Sequence, residues 1–136
     1  MKKEVIKQAV DQYLPELVKI ADEIYDLAEP GMEEVRSAGL LTDYLEKMGF
    51  QVEKGIAGLP TAFRAVYEQG QGGPSFGLLA EYDALKDIGH ACGHNLIGTS
   101  GAGAGVILKE IMERYGIGGT LKVLGTPAEE NGSGKI

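Results

Sequence analysis

The chain has 136 residues, a formal net charge of −7 and 43% hydrophobic residues, which is typical of one soluble globular domain with its own core. The net negative charge argues against binding to nucleic acid, because phosphate binding requires clustered Lys and Arg. No apolar run approaches the roughly 18 residues of a membrane span, so we expect no membrane partner either.

Two amphipathic helices are predicted at the start of the chain. Apolar residues recur every three or four positions over residues 4–28, the spacing of a helix with one buried face. Pro15 lies within this stretch and is expected to kink the helix or to open a new one. A second helix is predicted over residues 33–47, with Gly49 in the position of a left-handed C-cap.

The pattern then changes to that of strands. Residues 50–55 and 61–69 alternate between apolar and polar side chains, which predicts two short strands. The nearly continuous apolar run over residues 75–85 is typical of a central buried strand. Residues 95–115 predict a helix, and residues 118–127 predict another buried strand.

This order of elements predicts an α/β fold with a mixed, largely parallel sheet flanked by helices. We expect the strands at 76–82 and 120–125 to be central, parallel neighbours, because both are apolar throughout and one helix separates them.

The only cysteine and both histidines of the chain fall within five positions, His90 to His94. Cys92 and His94 are separated by Gly93, which lets the backbone turn sharply between two good zinc ligands. The segment follows a buried strand and precedes a helix, and the carboxyl ends of strands are where sites form in open α/β sheets.

Carboxylates are predicted at the same edge of the sheet. Asp83 ends the strand before the cysteine segment, and the adjacent pair Glu129 and Glu130 ends the next strand. One carboxylate of such a pair can bind metal while its neighbour acts as a general base. The combination predicts a metal site at the strand ends.

Each of these residues also has a plainer interpretation. Cys92 could be a small buried apolar residue, and Asp83 could cap a turn. An adjacent pair of glutamates is usually a solvated surface. His90 is better explained by packing, or by supporting a ligand, than by binding metal itself.

Two glycine-rich motifs do not indicate nucleotide binding. The GSGKI segment at 132–136 lacks the first glycine of a phosphate loop, because Glu129 stands there. The GAGAG segment at 101–105 lies within a predicted helix. Its small residues are expected to let that helix approach the sheet closely.

The cysteine segment, with its flanking sequences, resembles a known enzyme family. EYDAL at 81–85, GHACGHN at 89–95 and GTPAEENGSGKI at 125–136 resemble the amidohydrolase branch of the dinuclear zinc aminoacylase and carboxypeptidase family of metallopeptidases. That branch includes hippurate, auxin-conjugate and aminobenzoyl-glutamate hydrolases. AEPGMEE at 28–34 is similar to a further segment of the branch, with Ala28 in place of a histidine.

The resemblance implies a role for each candidate residue. Cys92, His94 and Glu130 would be metal ligands, with Cys92 bridging two metals. Glu129 would be the general base, and Asp83 would orient a ligand. Glu81 stands where the peptidase branches carry a histidine ligand, which favours the amidohydrolase branch.

The resemblance also implies two zinc ions per site, although Mn, Co or Ni could replace zinc at a site of mixed N, O and S ligands. Residues 1–136 would form the amino-terminal part of the catalytic domain. The family's remaining ligands, and a lid domain that mediates dimerisation, would lie outside these residues. We therefore expect a homo-oligomer, with the 136-residue chain itself inactive.

The predicted activity is metal-dependent hydrolysis of an amide bond in an N-acyl amino acid or a short peptide-like small molecule. The alternative is a non-catalytic metal-binding or scaffold domain derived from such an enzyme. A thiol redox function is disfavoured because no second cysteine is present. A single cysteine and the lack of a signal-peptide pattern favour a cytoplasmic location.

Overall fold

The computed structural model describes residues 3–136. This part of the chain forms, in order, α1 (Lys3–Leu27), α2 (Val35–Lys47), β1 (Gln51–Lys54), a single 3-10 turn (Ile56–Gly58), β2 (Phe63–Gln69), β3 (Ser75–Ala80), α3 (His94–Tyr115) and β4 (Gly119–Gly125). Within residues 3–136, no helix has both the length and the apolar character needed to cross a membrane.

The four strands form one mixed sheet in the order β1-β2-β4-β3. β4 pairs in parallel with β3 and antiparallel with β2, which in turn pairs antiparallel with β1. The predicted α/β class, with a mixed sheet flanked by helices, is therefore confirmed. Antiparallel pairing is the commoner kind in this sheet, because only the β3–β4 pair is parallel.

The prediction that two central strands lie side by side is right for β4 and wrong for β3. The two strands are parallel neighbours joined by α3, but β3 lies at the edge of the sheet. Its regular pairing ends at Ala80, which is fully buried, whereas Leu79 is 49% exposed. Helix α3 covers the face of β3 that carries Leu78, whereas Leu79 on the opposite face stays exposed. The apolar run does not show which face is covered or how many strands pair with β3.

The helices pack in two layers on the sheet. α2 packs on β1 and β2, α3 packs on β3 and β4, and α1 packs mainly on the other two helices. The strand register places Ala65, Leu78 and Val123 in one row, and all three belong to the main apolar core or pack against it. In this fold the start of α3 lies next to the ends of β3 and β4.

Helix α1 continues through Pro15 without a break, so the expected new helix start is not found there. Proline removes one backbone hydrogen bond from a helix interior. The following turns compensate because Leu17, Ile20 and Ile24 are buried in the core. Packing of this apolar face therefore outweighs the local cost of the proline.

Glycines on α3 allow the helix to approach β3 and β4 closely, as predicted. A Cβ atom at Gly98 would lie 2.5 Å from the backbone oxygen of Glu81, and one at Gly101 would lie 2.6 Å from that of Leu79. At Gly105 it would lie 2.7 Å from a methyl group of Val123. These distances are shorter than van der Waals contact, so larger residues would push the helix away from the sheet.

We expect Gly101→Ala to lower the free energy of unfolding by about 1–2 kcal/mol, because the added methyl group meets a backbone atom that cannot move aside easily. Gly39→Ala is the matched control, since nothing lies within 4 Å of a Cβ at this helical glycine. The control should be stabilised by up to about 1 kcal/mol through helix propensity. Urea unfolding of both variants measures the difference, and a stabilised Gly101→Ala would contradict the close packing.

The outer edge of β3 pairs with no strand among residues 3–136. Its sequence, SFGLLA, contains neither a charged residue nor a proline, the features that usually protect an edge from association. Phe76 is 57% exposed and borders an apolar cavity of about 200 Å³ that also involves Ile111 and Ile117.

We expect the chain to self-associate through this edge, and Leu79→Lys to shift the equilibrium towards monomer. Leu14→Lys on α1 is the matched control, because Leu14 is 46% exposed and Leu79 is 49% exposed. Sedimentation velocity over a range of concentrations measures both. A chain that stays monomeric at high concentration, or a control that dissociates equally well, would show that the edge is not responsible.

Candidate metal centre

The candidate site lies where two strands end and one helix begins. Glu81 and Asp83 follow β3, and Glu129 and Glu130 follow β4. His94 is the first residue of α3, and Gly93 before it adopts the left-handed conformation that permits the sharp turn into the helix. As predicted, these segments converge at the carboxyl ends of the two strands.

His94 is the centre of the group and is 4% exposed. Its Nδ1 atom lies 3.0 Å from Oδ1 of Asp83, which is 1% exposed, and 3.0 Å from the Asp83 backbone oxygen. Because both neighbours are acceptors, the proton of a neutral imidazole belongs on Nδ1. The Nε2 lone pair is then available to a cation, the arrangement typical of metal-binding histidines.

Three carboxylates surround the Nε2 atom of His94. The nearest oxygens lie 3.3 Å away on Glu81, 3.7 Å away on Glu129 and 3.8 Å away on Glu130. Ligand atoms of Glu81, His94 and Glu129 all lie within 4.8 Å of one another. One imidazole with several carboxylates suits Zn²⁺, Mn²⁺ or Co²⁺, so the residues present fit a divalent cation.

Glu81 was not among the ligands expected from the sequence, yet its carboxylate is the nearest of the three to Nε2 of His94. A signal was available, because residues two apart in an extended segment project to the same side and Glu81 is two positions before Asp83. The close approach of α3 at Gly98 also holds the Glu81 backbone against the helix.

Cys92 lies beside Glu130, outside the compact group formed by Glu81, His94 and Glu129. The neighbouring Glu130 carboxylate, with the charges of Glu129 and Asp83, raises the pKa of the Cys92 thiol. The side chain is exposed, so its interpretation as a small buried apolar residue is wrong. The structure thus brings His94 and Glu130 together and sets Cys92 at the border of the site; the ligand role of Cys92 stays a prediction.

His90 does not belong to the compact group formed by Glu81, His94 and Glu129. It is 8% exposed, and its ring stacks on that of Tyr25 with the centroids 6.3 Å apart. Burial lowers the pKa of His90, which favours a neutral ring against Tyr25.

Lys135 supplies the one positive side chain in contact with the site among the described residues. Its Nζ atom lies 2.7 Å from Glu81 and 3.2 Å from Glu129. These two hydrogen bonds raise the pKa of Lys135. Lys135 belongs to the GSGKI segment, which therefore provides a counter-charge for carboxylates here instead of a phosphate loop. A bound cation and this ammonium group would compete for the same two carboxylates.

The site is of the kind found in metal-dependent hydrolases, with an imidazole oriented by a carboxylate and facing further carboxylates at the strand ends of an α/β fold. No family model matches the chain. The chain is 40% identical to a subunit of the p-aminobenzoyl-glutamate hydrolase of Escherichia coli, over 96% of its own length and 30% of that protein. It is 39% identical to the mouse Xaa-Arg dipeptidase, over 95% of its length and 32% of the relative.

Solved structures with the same fold include a dinuclear metal-binding peptidase of the M20 family from Bacillus subtilis, with a TM-score of 0.73, 22% identity, and coverage of 87% of this chain and 36% of that one. An aminobenzoyl-glutamate utilization protein from Klebsiella pneumoniae matches with a TM-score of 0.70 and 20% identity, over 92% of this chain and 39% of that one.

The chain is a homologue of amidohydrolases and peptidases, and the resemblance noted in its sequence is confirmed. It spans about a third of the length of the curated relatives it matches.

We expect Asp83→Asn to weaken binding of a divalent cation by about 10- to 100-fold. Without the carboxylate, the ring orientation and the tautomer of His94 are no longer fixed. Asp87→Asn is the control for net charge, since Asp87 is exposed in the loop that follows β3. Calorimetric titration with Zn²⁺ measures both variants. Equal affinity of Asp83→Asn and the unsubstituted protein would contradict the role given to Asp83.

Proposed function

We propose that this protein is part of a metal-dependent enzyme that hydrolyses an amide bond in an N-acyl amino acid or a short peptide-like substrate. One observation carries the proposal: Nε2 of His94 faces Glu81, Glu129 and Glu130 while Asp83 holds Nδ1. The homology to amidohydrolases and peptidases narrows the reaction to amide hydrolysis.

Zinc is the metal that we propose, two ions per site, with Mn, Co or Ni as possible replacements. When bound, such ions polarise a carbonyl group and lower the pKa of water. His94 and Glu130 would hold metal, and Cys92, once its proton is displaced, would add a thiolate ligand. Glu81 is available as a further carboxylate ligand on the evidence of its 3.3 Å distance from Nε2 of His94.

Glu129 is proposed as the general base. Its side chain is 31% exposed, whereas that of Asp83 is buried. A carboxylate at the rim of the site can accept a proton from water and return it to the leaving amine, which a buried residue cannot do without moving. Asp83 remains the orienting residue, acting through Nδ1 of His94.

The substrate class follows from the relatives, whose names describe hydrolysis of an amide that joins an amino acid to an acyl group or to another amino acid. We propose that the remaining metal ligands and the substrate-binding groups come from residues outside 1–136, and that the 136-residue chain alone is inactive. The single unpaired cysteine suits a cytoplasmic location for the thiolate ligand.

A non-catalytic metal-binding or scaffold domain is the second candidate. Such a domain would hold a metal with the same group of His94 and carboxylates but would catalyse no reaction. Turnover of N-acyl amino acids by the longest protein that the gene encodes, loaded with Zn²⁺, decides between the two. Stoichiometric metal binding without turnover would favour the scaffold.

In the longest protein that the gene encodes, we expect Glu129→Ala to reduce turnover by about 10²- to 10⁴-fold, because the proton-transfer group is lost. Its metal content should stay close to that of the unsubstituted protein. Cys92→Ala should lose metal as well as activity, since a charged ligand is removed. Metal analysis and turnover, measured side by side, test the assignment. Loss of metal from Glu129→Ala but not from Cys92→Ala would reverse the two roles.

A further inference from the structure

Glu34 is a fully buried glutamate that makes no direct contact with the cluster around His94. It precedes α2 and is 0% exposed. Its Oε1 atom accepts a hydrogen bond of 2.8 Å from the backbone N–H of Ala128, and its Oε2 atom accepts one of 3.3 Å from the hydroxyl of Thr61. Burying a carboxylate is costly unless its hydrogen bonds compensate, so this placement calls for an explanation.

In the turn after β4, two backbone N–H groups donate hydrogen bonds to buried carboxylates, and the Ala128 N–H is the first of them. The other is the N–H of Glu130, which donates to Oδ2 of Asp83 over 3.1 Å. The two held amides therefore lie on either side of Glu129. Glu34 holds the first of them and Asp83 holds the second.

The backbone of this turn is not one that the chain adopts readily. Ala128 has a φ of 55°, in the left-handed region that residues with a Cβ rarely occupy. Ala128 is fully buried, so its N–H group loses its hydrogen-bond partner if the Glu34 carboxylate is removed. The hydrogen bond from Ala128 to Glu34 thus supports a strained conformation immediately before Glu129 and Glu130.

We propose that Glu34 is a positioning residue for the metal centre. It accepts the Ala128 N–H and so holds the turn in the conformation that directs Glu129 and Glu130 towards His94. The part of this inference that concerns metal rests on the proposed function, whereas the hydrogen bond that carries it does not.

The test uses Co²⁺, whose absorption spectrum reports the number and type of its ligands, with Glu34→Ala, Glu34→Gln and Glu29→Ala. Glu29 is the matched control: it is also an acid that accepts backbone N–H groups, but those of Arg36 and Ser37 at the start of α2. Glu34→Gln is the conservative variant, because its amide oxygen can still accept the Ala128 N–H.

We expect Glu34→Ala to bind Co²⁺ about 10- to 100-fold more weakly, as on loss of other groups that orient ligands, and to change the spectrum of the bound ion. Glu34→Gln should stay within about threefold of the unsubstituted protein. Glu29→Ala should unfold at lower urea concentration with an unchanged Co²⁺ spectrum. A folded Glu34→Ala that binds Co²⁺ normally, or a Glu29→Ala with the same loss, would overturn the positioning role.

Amide hydrogen exchange of the unsubstituted protein adds a test that does not depend on whether Glu34→Ala folds. The Ala128 N–H should exchange much more slowly than the amide of Gln71, which lies in an exposed turn. Rapid exchange at Ala128 would overturn the inference directly. Failure of the unsubstituted protein to bind Co²⁺, with Ala128 still protected, would instead count against the proposed function.

Discussion

The close contact between helix α3 and strand β3 is the constraint on which the candidate site depends. Gly98 and Gly101 leave no room for a side chain between the helix and the backbone oxygens of Glu81 and Leu79. Because α3 begins at His94, this approach sets the imidazole at the end of β3, where Asp83 meets Nδ1 and Glu81 meets Nε2. A helix further from the sheet would separate the histidine from both carboxylates.

The site brings together several groups that would repel one another in isolation. Glu81, Asp83, Glu129 and Glu130 lie around one imidazole, and like charges at such distances are unfavourable. Three kinds of partner offset that cost. The Lys135 ammonium group pairs with two of the carboxylates, the Glu130 N–H donates to Asp83, and a divalent cation would satisfy the inner oxygens.

Backbone N–H groups that donate to acidic side chains fix the segments surrounding the site. Glu29 holds the start of α2, Glu34 reaches the turn after β4, and Asp83 reaches both His94 and that turn. The segment between α1 and α2 is therefore connected to the site, although none of its side chains joins the carboxylate cluster.

Much of the fold was predictable because its signals are local. Helical spacing indicated helix on both sides of Pro15, although its unbroken course through the proline was not predicted, and the left-handed glycines Gly49 and Gly93 were readable as turns. The position of β3 at the sheet edge was not predictable, because an apolar run does not show whether one strand or two pair with it. The exposure of Cys92 was likewise hidden, since it depends on what packs above a short loop.

The sequence by itself determined the chemical types at the site and their attachment to strand ends. A cysteine and a histidine around one glycine, an aspartate after one strand and two glutamates after the next are properties of neighbouring residues. Tertiary structure alone decided that Glu81 is nearest to Nε2 of His94 and that Lys135 pairs with Glu81. It also decided that Glu34 accepts a hydrogen bond from the Ala128 N–H. Glu34 and Ala128 are 94 positions apart, and no periodicity or motif links residues at such a separation. Their contact follows from how the helices and strands pack together.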